Sequence, residues 1–255
     1  MPFFAGIPYR AGFAPRVPFL LTHPVSDRRH EGAKHEAEYT LDVIRAFGIP
    51  AERADSYETP LRHRAGYSAE KIMERLGLDG GAEIVALHPG ASCPSKRWPL
   101  DRFASLGLKI HDEFPGKIIA IVGGPGEKEM GESLAREIGG KTLDLTGQLD
   151  LKELAGFLSR CEALVSNDSG PVHIAAAVGT RTLTIFGRSL PGLGAVRWRA
   201  LGHGHVVLQK DVGCVVCLAH RCTIDFECLK AVTVDEVRSK LRDFMPAREK
   251  VSAAG

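Results

Sequence analysis

Ala163-Leu164-Val165-Ser166-Asn167-Asp168-Ser169-Gly170-Pro171-Val172-His173 carries a short apolar run into a polar turn and out into a small-residue helix, Ile174 to Val178. A strand that feeds a helix this directly belongs to a parallel α/β fold, in which ligands gather beyond the carboxyl ends of the strands. Asp168 or Ser169 can cap the new helix by accepting from its free N–H groups, and Pro171 suits a first turn, where no partner is lost. Gly170 lets a ligand approach the backbone. The helix start, with unpaired donors and the positive end of a dipole, suits phosphate, and His173 adds a third polar group on the same side. A plain strand-to-helix turn with a capping Asp is the competing reading of the same residues.

The pattern around this stretch is regular. From Glu83 onward, apolar Ile84 to Leu87 precedes a helix over Leu100 to His111, and Ile118 to Val122 precedes one over Glu127 to Ile138. The series continues with Thr142 to Leu145, a helix over Leu151 to Leu158, Ala163 to Val165, a helix over Val172 to Val178, Thr182 to Phe186 and Val206 to Leu208. Short β-branched runs alternating with helices predict a doubly wound, Rossmann-like parallel sheet covered on both faces. A last helix is expected over Val234 to Phe244, ending at Pro246, with Arg248 to Gly255 as a loose tail.

Ahead of Glu83 the reading is thinner. Helices are expected over His35 to Phe47, where Tyr39, Val43, Ala46 and Phe47 share a face, and over Ser68 to Leu76, with few candidate strands. Residues 1–78 fall well short of the ~100–150 that a domain usually needs. They are expected to be the later part of a domain, and residues 79–255 a complete one.

Composition narrows the class. The 255 residues are 44% hydrophobic, and 33 basic side chains nearly balance 31 acidic ones, so no dense basic surface points to nucleic acid. No apolar run approaches the ~20 residues that span a bilayer, and Met1-Pro2-Phe3-Phe4 lacks the layout of a signal peptide, so a cytoplasmic place is expected.

Three further polar stretches follow strands. His88-Pro89-Gly90-Ala91-Ser92-Cys93-Pro94-Ser95-Lys96-Arg97-Trp98-Pro99 offers Ser92 as a donor to phosphate oxygens and Lys96 as a compact cation, with Arg97 as a planar alternative. Gly123-Gly124-Pro125-Gly126-Glu127 is a tight turn whose carboxylate can accept from sugar hydroxyls. Its spacing fails the G-x-G-x-x-G fingerprint, which disfavours a nicotinamide-dependent oxidoreductase. Thr146-Gly147-Gln148-Leu149 offers backbone and an apolar wall to a flat base.

Together these stretches resemble the ADP-heptose lipopolysaccharide heptosyltransferases, inverting enzymes of two-domain GT-B architecture. The resemblance rests on H-P-G-A-S-x-x-x-K-R-W-P at His88 to Pro99, G-G-P-G-E at Gly123 to Glu127, L-T-G at Leu145 to Gly147, N-D-S-G-P-V-H-I-A-A-A at Asn167 to Ala177, and Ile185-Phe186-Gly187. Gly6 to Phe13 is similar to a late piece of the family's first domain, which implies that the opening of that domain lies outside this sequence.

The resemblance implies donor contacts residue by residue. Ser92 and Lys96 would hold the diphosphate, joined by Ser169 and Gly170 at the helix start, Glu127 would bind the ribose, and Leu149 would pack near the adenine. Asp168 and His173 would meet the donor sugar and phosphates, with Lys96 and Asp168 as the catalytic pair. No cofactor is implied for the transfer itself. The acceptor would be the anionic inner core of lipopolysaccharide, suited to Arg10, Arg16, Arg28, Arg29 and Arg62 to Arg64, with peripheral contact at the inner membrane. Scattered surface arginines are the alternative reading. The family's general base is a carboxylate near the start of the first domain. Asp27, Glu36 and Glu38 are available here, but nothing in the sequence places them at the acceptor, so an ADP-sugar-binding chain without transfer stands as the alternative function.

Cys214, Cys217, Cys222 and Cys228 form C-x2-C-x4-C-x5-C. Four close thiols can hold zinc or an iron–sulfur cluster, with free thiols or a disulfide as alternatives. Cys93 and Cys161 read as ordinary small and core residues.

Overall fold

A computed structural model describes residues 3–14, 18–54, 69–214, 216–217 and 219–245. Arg16, Arg62 to Arg64, the expected helix start at Ser68, and the stretch from Pro246 through the tail Arg248 to Gly255 lie outside these residues.

Two parallel sheets organise the described chain. The smaller pairs β1 (Ala11–Phe13) with β2 (His23–Val25), Ala11 opposite His23. Helix α1 (Glu36–Arg45) follows, buries Tyr39, and is capped by His35, whose Nδ1 accepts from the Ala37 N–H at 3.1 Å.

The larger sheet has six strands: β3 (Ile84–His88), β4 (Ile118–Ile121), β5 (Thr142–Asp144), β6 (Ala163–Asn167), β7 (Arg181–Phe186) and β8 (Val206–Gln209). All pairs are parallel and the spatial order is β5-β4-β3-β6-β7-β8. The chain therefore starts at the middle, works out to one edge, returns to the other side of β3 and works out again. Such a reversal opens a crevice between the two central strands at their carboxyl ends.

Side chains alternate between two buried layers with the strand period of two. Val85, Leu87, Ile119, Ile121, Ala163, Val165, Leu183 and Ile185 face one cluster. Helices α3 (Leu100–Glu113), α4 (Lys128–Ile138) and α9 (Val234–Arg242) contribute to it. In α3, Phe103, Leu106, Gly107 and Ile110 form the buried stripe expected of a helix that covers a sheet. Ile84, Ala86, Ala120, Val122 and Leu164 face the opposite cluster, with α5 (Leu151–Leu158) and α6 (Gly170–Ala177). Helix α2, described over 69–75, packs Ile72 and Met73 into this second cluster, so residues 69–78 pack with the large sheet. Short helices α7 (Ala195–Trp198) and α8 (Glu227–Lys230) complete the described chain.

The observed elements follow the expected alternation, with most boundaries within two residues. Helix α6 begins at Gly170 rather than Val172 because its first turn includes the glycine and Pro171. Helix α4 stops at Gly139, whose φ of 64° suits glycine, and α5 starts with a reciprocal Asp150–Glu153 cap.

Among the described residues a polar seam joins the two sheets. Arg197, beyond β7, donates to Glu36 Oε2 at 2.6 Å and to the Arg29 carbonyl at 3.1 Å, and His35 Nε2 lies 2.9 Å from the Arg199 carbonyl.

Candidate functional site

The tips of β3, β4, β6 and β7 converge on a small polar assembly. Asn167, the last residue of β6, is wholly buried and staples the loops together. Its Nδ2 donates to the Pro89 carbonyl at 2.7 Å, and its Oδ1 accepts from the Trp98 N–H at 2.9 Å. Trp98 is buried and its indole N–H donates to the Val232 carbonyl at 2.9 Å, anchoring the far end of the Ser92–Lys96 loop in the core. Sequence reading assigned Asn167 no role, although an amide closing a buried strand is a visible signal of such a staple.

Asp168 is buried and shared by two cations. Lys96 Nζ stands 2.9 Å from its Oδ2 and 3.1 Å from its carbonyl, and Arg188 donates to the same Oδ2 at 3.0 Å. Arg188, just beyond β7, is the more enclosed cation, with 8% of its side chain exposed against 18% for Lys96. It was missed from the sequence because it sits one residue past the Ile185-Phe186-Gly187 motif; a cation at a strand tip was the available signal. Two cations on one carboxylate leave the cluster one positive charge in excess, which favours an anion at its mouth.

The expected side-chain cap on α6 is not formed. Ser169 is the N-cap residue but makes no capping bond. Asp168 is held by Lys96 and Arg188, while Ser169 Oγ turns to His88 Nδ1 at 2.9 Å and Ser166 Oγ at 3.1 Å. The first turn of α6 thus has no side-chain oxygen from its N-cap. Above Gly170 a Cβ would meet nothing, so that backbone is open to approach.

His88, at the tip of β3, is 4% exposed and bridges both sides of the crevice. Its Nδ1 faces Ser169, and its Nε2 lies 3.5 Å from Glu127 Oε2. The Gly124 N–H donates to that same oxygen at 2.8 Å. The bond from His88 holds the Glu127 carboxyl below the usual carboxylate range, helped by the Gly124 N–H and opposed by burial. The turns after β4 and β5 are joined by the Gly147 N–H donating to the Gly123 carbonyl at 2.9 Å. Gly147 has φ of 70°, and a Cβ there would press on Pro125.

The remaining expected residues surround this centre. Ser92 is exposed on the loop. Arg97 donates to the Ala91 carbonyl of its own loop at 2.8 and 3.0 Å, which fixes the loop and commits its guanidinium. Leu149 is half-buried against the second apolar cluster, just before α5. His173 is exposed at the rim yet crowded by surrounding protein. That crowding pushes its imidazole below the usual value, with His35 and Lys96 adding to the shift and Asp168 opposing it.

The arginines suggested for an anionic partner are committed locally where they are described. Arg10 donates to the Leu20 carbonyl at 2.7 Å, Arg28 pairs with Glu31 at 2.8 Å, and Arg29 pairs with Asp27 at 2.7 Å and lies over the Phe13 ring. The carboxylates weighed as bases are paired too. Arg29 holds Asp27 down to about 2, Glu36 takes Arg197, and Glu38 takes Arg45 at 3.2 Å.

Cys214, Cys217, Cys222 and Cys228 line one cavity of about 340 Å³ together with Ser95 and Arg188. Among the described residues no three His, Cys, Asp or Glu side chains are arranged to hold a metal ion. The spacing thus gathers the four thiols at one cavity. Ser95 Oγ lies 3.4 Å from His220 Nδ1, so the cysteine loop backs the Ser92–Lys96 loop. Cys161 is core, its thiol pushed up by burial. Among the described residues no helix is long and apolar enough to cross a membrane.

The sequence model for glycosyltransferase family 9 (heptosyltransferase) matches residues 1–226. The chain is 28% identical over 202 residues to lipooligosaccharide heptosyltransferase 2 of Haemophilus influenzae, covering 75% of this chain and 57% of that protein. It is 27% identical over 199 residues to lipopolysaccharide heptosyltransferase 2 of Escherichia coli, with the same coverage. The chain thus spans little more than half the length of these curated relatives. In fold it is similar to the solved E. coli ADP-heptose lipopolysaccharide heptosyltransferase II, with a TM-score of 0.72 at 22% identity, covering 95% of this chain and 71% of that one. It is equally similar to a family 9 glycosyltransferase from Veillonella parvula, with a TM-score of 0.72 at 21% identity, covering 93% and 67%.

Proposed function

The chain belongs to glycosyltransferase family 9, and from that premise we propose that it transfers a heptose from ADP-heptose to the inner core of lipopolysaccharide. The observation that carries the reading is the Lys96–Asp168–Arg188 cluster beside the uncapped start of α6, at the strand reversal where such folds bind nucleotides. In this proposal Ser92, Lys96 and the backbone from Ser169 to Gly170 receive the diphosphate, Glu127 the ribose, and Leu149 the adenine. Asp168 and His173 face the sugar-phosphate junction.

An acceptor hydroxyl attacks the anomeric carbon, the bond from that carbon to the β-phosphate oxygen breaks, and ADP leaves with the electron pair. Charge growing on the diphosphate is met by Lys96 and the helix start, with no cofactor in the step. Arg188 gives this arrangement its economy: when Lys96 turns from Asp168 to the diphosphate, the buried carboxylate keeps a cation. The proton of the attacking hydroxyl needs a base, and Asp27, Glu36 and Glu38 are each engaged in ion pairs. Those pairs favour a second reading, donor binding without transfer. The domain division belongs to the proposal as well: an acceptor-side part first, then a donor domain that includes the helix over 69–75. We assign the acceptor step to the cytoplasmic face of the inner membrane. Zinc or iron–sulfur ligation by the cysteine loop carries no step here, because its thiols do not form a ligand set among the described residues.

Calorimetric titration with ADP-heptose, followed by an assay of transfer to a core acceptor, tests the function. Lys96→Ala is expected to weaken donor binding about 10- to 100-fold, the worth of a charge-assisted bond. Binding with turnover supports the transferase, binding without turnover supports the second reading, and absence of binding rejects both.

A further inference from the structure

Glu127 has two carboxylate oxygens in unlike situations. Oε2 is occupied by the Gly124 N–H at 2.8 Å and faces His88 Nε2 at 3.5 Å. Oε1 has no hydrogen-bond partner among the described residues and lies over Gly90, where a Cβ would overlap it. Gly123 stands on the other side, where a Cβ would fall 2.6 Å from Oε2. The carboxylate therefore sits in a slot walled by two glycines and steered by one buried imidazole.

The hydrogen-bond partners assign the imidazole's tautomer. An ionised carboxylate only accepts, so Nε2 carries the proton that faces Glu127, and Nδ1 is left to accept. With that tautomer Ser169 Oγ, the shortest contact at Nδ1 at 2.9 Å, donates to His88 in preference to the Asn167 carbonyl at 3.2 Å, to which Ser166 donates at 2.8 Å. The ring is thus placed between the Ser166 and Ser169 hydroxyls, at 3.2 and 2.9 Å from Nδ1, and the Glu127 carboxylate, at 3.5 Å from Nε2.

We propose that His88 is a positioning residue that, by tying up Glu127 Oε2, aims Oε1 at a ribose hydroxyl and so makes the chain selective for ribo- over deoxyribonucleoside diphosphates. This rests on the nucleotide-sugar reading above, and it adds the group that aligns the carboxylate. A site with a pre-aimed acceptor rejects the analogue lacking the hydroxyl, because the acceptor is then desolvated without a partner.

The test is calorimetric titration of the full chain with ADP, 2′-deoxy-ADP and 3′-deoxy-ADP. The wild-type chain is expected to prefer ADP over the weaker deoxy analogue by about tenfold or more, the worth of a bond to a charged acceptor. His88→Asn keeps an acceptor near the Nδ1 position but cannot reach Glu127, and it should bring that ratio to within about threefold of unity. His88→Gln, which can still donate to Glu127, should restore it. Gly90→Ala, which displaces the carboxylate without touching His88, should also collapse the ratio. A ratio unchanged in His88→Asn and in Gly90→Ala overturns the proposal, as does equal binding of ADP and both analogues by the wild-type chain, and either leaves the nucleotide reading standing. Failure of the wild-type chain to bind ADP at all overturns both.

Discussion

Asp168 sets one carboxylate between a half-buried and a buried cation, and its removal is predicted to be felt as stability before it is felt as activity. With Asp168→Asn, Lys96 can turn to solvent but Arg188 cannot, so a buried charge loses its partner. Breaking such a pair costs about 3 kcal/mol, which in a chain of this size lowers the thermal midpoint by about 6–12 °C. Lys96→Met should lower it far less. Thermal melts of the two variants in the same buffer check the difference, and equal shifts would mean that Arg188 finds another partner. The single residue also explains why the expected cap is not formed: a capping Asp and an ion-paired Asp are the same letter, and only the distant Lys96 and Arg188 decide between them.

At the scale of elements, the short turn at Pro94–Lys96 is held from behind by the chain that follows β7. A Cβ on Gly187 would stand 2.6 Å from the Ser95 carbonyl and 2.8 Å from Leu229 Cγ. Gly187→Ala is therefore predicted to push the Lys96 loop outward and weaken ADP binding about tenfold, while costing about 1–3 kcal/mol for the overpacking. Titration with ADP at a temperature well below the melt reads the first effect, and unchanged affinity would show that Leu229 alone yields. Much of this level was legible beforehand. The strands were visible because Val85, Ile119 and Ile121 recur with a neighbour on each side that is also apolar, the mark of a sheet covered twice. The loops' residues were visible through their motifs. What could not be read was who touches whom: His88 joins Ser169 across 81 positions, and Trp98 finds Val232 across 134, contacts that no local pattern encodes.

For the molecule as a whole, the seam between the two sheets hangs on Arg197, which meets Glu36, the Arg29 carbonyl and the Gly192 carbonyl at 2.6 to 3.1 Å. Arg197→Ala is expected to raise amide hydrogen exchange over residues 23–45 about tenfold, by removing bonds to a charged group, while β3 and β6 stay protected. Exchange followed by mass spectrometry checks it, and a uniform rise across the chain would mean that the small sheet and the large one open together. The order β5-β4-β3-β6-β7-β8 also constrains how the molecule is made. As the polypeptide emerges, β3, β4 and β5 can pair while the far side of β3 has nothing beside it, a bare edge of wholly buried-type residues open to any passing strand. Only when Ala163 to Asn167 has been synthesised does that edge close, and the same event brings Ser166 and Ser169 to His88. The His88 side of the crevice thus waits for β6, and the nascent protein is most exposed to misassembly at the strand that later forms its centre.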